Sequence, residues 1–227
     1  MHLVSIALAP AIALVWYIYA SAAYTPTRRS LLALLFLAGG VSALGALFLN
    51  HQIEKYTVLW AGAPLWQHRV SFWVVGVGLN EEFVKMAVLL VLLYPRRDFI
   101  TPYQGLLGAA TVALGFAAVE NLFYSERYGT ITLLTRSVLT IPAHAFFTIP
   151  MGVLMARSKR AGSGLAKYLW LVAGLGVAMV FHGSYDVWLT FDQLWINRLA
   201  YLQVVLMGLL ALRWMRLYGG AEQGTTA

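Results

Sequence analysis

The chain has no cysteine, which excludes disulfides, thiolate nucleophiles, Cys-ligated zinc and iron–sulfur clusters in one step. Charge is scarce as well. Asp, Glu, Lys and Arg make up 11% of the 227 residues against 60% hydrophobic, with a mean hydropathy of +0.72. No soluble globular domain has that balance. Several hydrolase designs are missing too. There is no HExxH helix, so the zincin pattern is absent. Asp186 is the sole Asp inside an apolar run, so two intramembrane aspartates cannot face each other as a dyad. The one Gly-Ser-Gly, residues 162 to 164, lies in a basic loop away from every histidine, which argues against a serine nucleophile.

What the chain does have is a series of apolar runs, each near the roughly 20 residues needed to cross a hydrocarbon core about 30 Å thick. They lie at about 3 to 20, 30 to 49, 69 to 93, 103 to 124, 131 to 156, 168 to 190 and 198 to 217. The fold class predicted is all-α: a polytopic transmembrane bundle of about seven spans. Short loops such as "YTPTRRS" and "PRRDFITP" separate the runs and leave no room for a soluble domain. Neither an internal repeat nor a low-complexity tract is present, so residues 1–227 read as one integral membrane domain with a motif-bearing core at about 69–190. "YASAAY" after the first run has the small residues of a signal cleavage site. The "MH" before that run carries no Lys or Arg, however, and the run is long for a signal, so a retained helix is expected.

Lys and Arg distribute unevenly over alternate loops. Arg28, Arg29, Arg96, Arg97, Arg157, Lys159, Arg160, Lys167, Arg213 and Arg216 fall on one side; Lys55, Arg69, Arg127 and Arg198 fall on the other. Cytoplasmic loops accumulate such residues, which predicts an external N-terminus and a cytoplasmic C-terminus. The formal net charge of +7 is then explained by topology and anionic headgroups, and no nucleic-acid partner is expected.

Two basic residues, Lys85 and Arg136, are left inside the membrane, and Lys85 has company. The run "VSFWVVGVGLNEEFVKMAVLLVLLY" carries Asn80, Glu81, Glu82 and Lys85 near its centre. A central Glu or Lys costs about 2.5–3.5 kcal/mol, while each large apolar residue returns only about 0.3–0.6. These charges must therefore face the bundle interior or a water-filled cavity, and helical spacing puts Gly78, Glu81, Glu82 and Lys85 on one face. A structural lock between Lys85 and a Glu at i−3 or i−4 accounts for one carboxylate only. The second, in an apolar setting beside the first, is the arrangement that general acid–base chemistry uses.

Later runs add comparable groups. "GFAAVENLFY" brings Phe116, Glu120 and Asn121; taken alone, the Glu-Asn pair could be an interfacial cap. "RSVLTIPAHAFFTIP" repeats Arg136, Thr140, His144 and Thr148 at intervals of four, with Pro142 and Pro150 expected to bend the helix. "FHGSYDVWL" places His182 and Asp186 one turn apart, with Gly183 allowing a neighbour to approach closely. Four different runs thus carry acids or histidines at similar depth. Water activated by a carboxylate and a histidine, with a further His or Asp to stabilise an oxyanion, is a sufficient kit for peptide hydrolysis.

The set "EEFVK", "FAAVEN", a central His144 and "HGSYD", in that order over about residues 78 to 190, resembles the PrsW family of intramembrane proteases. That family is related to the glutamate-dependent CAAX prenyl endopeptidases and the bacteriocin-processing membrane proteases. The resemblance implies catalytic carboxylates at Glu81 and Glu82, supported by His182. It also implies cleavage of a single-span membrane protein, typically an anti-sigma factor, on its extracytoplasmic side, and a location in the bacterial inner membrane. Compared with the CAAX enzymes, Glu120 stands where their second motif has a His, and Asp186 where their last has an Asn.

The mechanism expected has Glu81 or Glu82, kept partly ionised by Lys85, taking a proton from a water also held by His144 or Glu120. His182 and Asp186 stabilise the oxyanion or protonate the leaving amine, and Lys85 and Asn121 support the set. No cofactor is required. In one alternative, a divalent metal such as zinc binds Glu81, Glu82, His144 and His182. In another, the buried groups form a proton or ion relay in a transporter or sensor, though such proteins commonly show repeated halves.

Overall fold

The structure is a computed structural model that describes residues 2–21, 27–57 and 65–223. Among these residues there is no strand. The chain runs α1 (His2–Ser21), α2 (Arg29–Thr57), α3 (Leu65–Val70), a π-helical segment (Ser71–Gly78), α4 (Leu79–Leu92), α5 (Pro102–Val138), α6 (Thr140–Arg160), α7 (Gly164–Leu189) and α8 (Leu194–Gln223). The π segment keeps right-handed helical backbone at both ends, so α3 and α4 continue through it as one crossing. Conversely, α5 is broken at Gly129, whose φ of 82° and ψ of 179° suit a residue without a Cβ. The apolar helices on either side of that break are Pro102–Tyr124 and Gly129–Arg160.

Among the described residues the helices fall into seven successive apolar stretches, counted as crossings, in register with the seven apolar runs. Five helices are long and apolar enough to span a membrane: Arg29–Tyr56, Pro102–Tyr124, Gly129–Arg160, Gly164–Leu189 and Leu194–Gly219. The apolar part of α1, Val4–Ala20, is shorter, and the third crossing is divided by the π segment and carries the three charges. Two local expectations need correction. The second apolar run ends near residue 49 but its helix continues to Thr57, because backbone hydrogen bonding carries on through the polar "HQIEKY" tail. Pro142 falls in the first turn of α6, beyond the end of α5 at Val138. A first-turn proline has no intrahelical N–H to lose, so only Pro150 lies inside the helix. The second half of "YASAAY" and Lys55's following loop, residues 58–64, lie outside the described residues, as does the side chain of Arg127; α1 itself packs into the bundle through Ala11 and Ile18.

The first half of α5 is the axis of the molecule, with 83% of its span window buried against 11% for that of α7. Its "GLLGAATVALGFAA" stretch explains this, since lipid and leucine are equally apolar and helices in a bilayer associate through close backbone packing at small residues. A Cβ on Gly105 would collide with the carbonyl oxygen of Gly152 in α6, and one on Gly152 with that of Gly105. On the opposite side, a Cβ on Gly39 of α2 would strike the Val112 carbonyl, and one on Gly115 the Phe36 carbonyl. The outer helices turn large apolar residues outward, among them Leu37, Val41, Phe48, Val91 and Leu165.

One end of the bundle gathers the basic loops. Lys159 donates to the carbonyls of Tyr94 (2.7 Å) and Arg96, covering the C-terminal end of α4. Tyr94 Oη meets Ser158 at 3.0 Å, and Ser158 donates to the Lys167 carbonyl. A capping box of Thr101 and Gln104, with Pro102 in the first turn, starts α5 at the same end. Gly219 of α8 lies against the Tyr103 ring. The α5–α6 contact gives a direct test. Gly105→Leu or Gly152→Leu should abolish the folded form, read as loss of the thermal transition in detergent, whereas Gly176→Ala, which meets nothing within 4 Å, should leave it within about 1 kcal/mol of wild type.

Candidate active site

Most of the polar groups singled out in the sequence are buried, with Asn80, Arg136, Thr140 and Asp186 half-buried, and the packing brings them together. The first turn of α4 supplies Glu81 and Glu82, and its next turn Lys85; all three are buried. The C-terminal part of the first α5 helix supplies Glu120 and Asn121, and the stretch after the Gly129 break returns Arg136 to them. From α6 come His144 and Thr148, and from α7 His182 and Asp186. The close approach expected at Gly183 is made by the π segment: a Cβ there would collide with the backbone of Trp73 and Val74.

Glu82 is saturated. Its Oε1 accepts from Lys85 Nζ at 2.7 Å and from His182 Nδ1 at 2.8 Å, and its Oε2 accepts from Thr148 Oγ1 at 2.8 Å. It has no exposure and is absent from the cavity lining. Lys85, also fully buried, pairs with Glu82, lies 4.0 Å from Glu81, donates to His144 Nδ1 at 3.1 Å and sits 4.2 Å from the centroid of the Phe116 ring. An ammonium only donates, so His144 accepts at Nδ1 and carries its proton on Nε2, which reaches Glu120 Oε2 at 3.0 Å. Glu120 Oε2 also accepts from Arg136 at 2.6 Å. Asn121 holds Arg136 Nε at 3.2 Å and donates to Ser137, whose hydroxyl reaches the Ile6 carbonyl. Asn121 thus stands one step behind the site.

Glu81 differs from its neighbour. Its Oε1 accepts from Asn50 of α2 at 2.9 Å, while its Oε2 is buried with no hydrogen-bond partner. That free oxygen lies 3.6 Å from His182 Nε2, which is itself 3.6 Å from Asp186 Oδ2. With Nδ1–H given to Glu82, a neutral His182 turns a lone pair toward two carboxylates. Acceptors converging in this way need a shared proton or a cation among them. The wider count agrees: four carboxylates (Glu81, Glu82, Glu120 and Asp186) face one ammonium and one guanidinium.

These groups form one wall of a cavity of about 590 Å³ lined by Glu81, Glu120, Arg136, His144, His182 and Asp186, and closed by Asn50, Trp73 and Tyr124 among others. The cavity lies toward the end away from the basic loops, since its rim includes His51 and Glu54 near the C-terminus of α2 and Phe72 near the start of the third crossing. Arg136 stacks 3.7 Å over the Tyr124 ring. A metal would find suitable ligands here. Glu81, His144 and His182 each offer one ligand atom, all within 4.8 Å of one another, and two His with one Glu is a catalytic zinc donor set. The free Glu81 Oε2 and the unprotonated His182 Nε2 face the space already; His144 joins them by giving up one of its two present contacts. Glu82, expected as a fourth ligand, has no free oxygen and instead orients His182.

Two features of the site escaped sequence reading. Asn50 stands just past the end of an apolar run, and nothing local ties it to a residue 31 positions away. Arg136 was seen as intramembrane, but its pairing with Glu120 depends on the reversal at Gly129.

A profile of the family described as "PrsW family intramembrane metalloprotease" matches residues 27–212, reaching beyond the motif region to α2 and α8. The Protease PrsW of Bacillus subtilis is 31% identical over 194 residues, 86% of this chain and 85% of that protein. The Protease PrsW of Geobacillus kaustophilus is 30% identical over 193 residues, covering 85% and 82%. No solved structure matches the chain. The buried acid–histidine cluster within a multi-pass bundle and a family match over most of the length lead to one conclusion: the chain belongs to the PrsW family of intramembrane proteases.

Proposed function

We propose that this protease hydrolyses a peptide bond of a single-span membrane protein, an anti-sigma-factor-like substrate, near the extracytoplasmic side of the membrane. The observation that carries the reading is the free Glu81 Oε2 facing His182 Nε2 and Asp186 within the cavity wall. The orientation rests on the basic residues of Arg28, Arg96, Arg97, Arg157 and Arg160, which positive-inside topology assigns to the cytoplasm. The cavity lies toward the other end.

In the mechanism, Glu81 takes the proton from a water held against the substrate carbonyl. Glu82 stays ionised between Lys85 and His182 and fixes the imidazole so that Nε2 faces the cavity. The proton taken up by Glu81 passes to His182 Nε2, 3.6 Å away, and from there, with Asp186 beside it, to the leaving amine. His144 and Glu120, held by Lys85 and Arg136, keep the second side of the cavity polar, and the His144 Nε2–H, given to Glu120 in the free site, would turn to the developing oxyanion. The scissile segment must be unwound, because helical peptide bonds are hydrogen-bonded within their own helix.

A second reading is favoured by the Glu81, His144 and His182 cluster, by the free Glu81 oxygen and by the family's description as metalloproteases. These three residues would hold a divalent metal, with Glu82 accepting from the far nitrogen of His182 as metal-bound histidines require. Such an ion would supply Lewis-acid polarisation of the carbonyl and acidify a bound water.

Cleavage of a single-span reporter by the purified, reconstituted protein tests both readings. Glu81→Gln should fold like wild type and lose activity by about 100-fold or more. Glu82→Gln should lose activity together with folded yield, since it leaves Lys85 and His182 uncompensated at a cost of about 3–5 kcal/mol. Wild-type rates from Glu81→Gln would refute the assignment of that residue. Chelator inactivation reversed by zinc would select the metal reading, and full activity after exhaustive chelation the metal-free one.

A further inference from the structure

The contact between α2 and α4 does more than pack two helices. Asn80 Nδ2 donates to Asn50 Oδ1 at 2.7 Å and to the Ala46 carbonyl at 3.1 Å, and Asn50 Nδ2 donates to Glu81 Oε1 at 2.9 Å. An amide has one accepting and one donating end. With its oxygen taken by Asn80, Asn50 can turn only its NH2 toward Glu81. One Glu81 oxygen is thereby occupied on the α2 side, and the other is left to face His182 Nε2 and the cavity. Asn50 also lines the cavity, so the relay is not sealed in the core and its loss need not collapse the packing.

From this geometry we infer that Asn50 is a positioning residue for the proteolytic reaction: oriented by Asn80, it fixes the Glu81 carboxylate so that Oε2 is the oxygen presented to the site. The inference rests on the proposed role of Glu81. It makes α2, which carries none of the motif residues, a working part of the active site. Two side chains acting in series on one carboxylate should behave as one unit, so losing both should cost no more than losing the one in contact with Glu81.

The experiment is steady-state cleavage of the single-span reporter by full-length reconstituted protein, with thermal unfolding in detergent as a check on folding. The variants are Asn50→Leu, Asn50→Asp, Asn80→Ala, the Asn50→Leu/Asn80→Ala double and Glu81→Gln. Asn50→Leu is expected to lower kcat about 10- to 100-fold with KM within about 2-fold of wild type. Asn50→Asp, of the same shape but with an acceptor in place of the donor, should lose at least as much and provides the answer should the Leu variant not fold. Asn80→Ala should lose less than Asn50→Leu, and the double variant should match Asn50→Leu alone. Wild-type kcat from both Asn50 variants, a raised KM with kcat unchanged, or a double variant whose loss is the product of the singles would overturn the inference while Glu81→Gln remains inactive. Activity in Glu81→Gln would overturn this inference and the proposed role of Glu81 together.

Discussion

An ammonium group with no solvent exposure, in the middle of an apolar crossing, is the constraint on which the structure turns. Lys85 is tolerated because Glu82, Glu81, His144 and the face of Phe116 surround it. Each of those partners is in turn fixed by a group from another helix: Glu82 by Thr148 and His182, His144 by Glu120, and Glu120 by Arg136. Removing any one charge would leave another buried and uncompensated. The network holds α4, α5, α6 and α7 in one relative arrangement, and the small residues of α5 allow them to come close enough for side chains of ordinary length to meet.

Within that network the two adjacent glutamates do different work. Being neighbours on a helix, they point about 100° apart. Glu82 turns into the protein and is fully bonded, while Glu81 turns toward α2 and the cavity and keeps one oxygen free. The saturated residue orients His182, and the unsaturated one is available to a reactant. A carboxylate with both oxygens engaged and no access to the cavity is closed to a water or a metal there; one with a free oxygen facing that space, held in place, is open to them.

Much of this was legible in the residues. Apolar runs of membrane length gave the seven helices, because in a bilayer the backbone must satisfy itself and few alternatives to a helix exist. The cost of intramembrane charge pointed to Glu81, Glu82 and Lys85, and helical spacing added His182 with Asp186 and His144 with Thr148. Other features left no trace in composition or period. The π-helical stretch from Ser71 to Gly78 reads as an uninterrupted apolar run, and the residue it packs against most closely, Gly183, lies far along the chain. The division of labour between Glu81 and Glu82 is decided by Asn50 and Thr148, on other helices, and no local pattern distinguishes two adjacent carboxylates. The break at Gly129 lies between two apolar runs with no motif to mark it, although it sets the direction in which Arg136 returns.

The separations along the chain have a consequence for how the molecule is made. Arg136 and Glu120 are 16 residues apart, but Lys85 and His144 are 59 apart, Glu82 and Thr148 66, and Glu82 and His182 100. A growing polypeptide therefore delivers the helix that carries Glu81, Glu82 and Lys85 to the translocon before most of the residues that neutralise and orient them have been synthesised. Until the fifth and sixth crossings arrive, those charges have only one another, Asn50 and water. A nascent chain cannot assemble the cluster until α7 has emerged, and an incomplete chain that has not yet presented His182 lacks the imidazole that links Glu82 to the cavity.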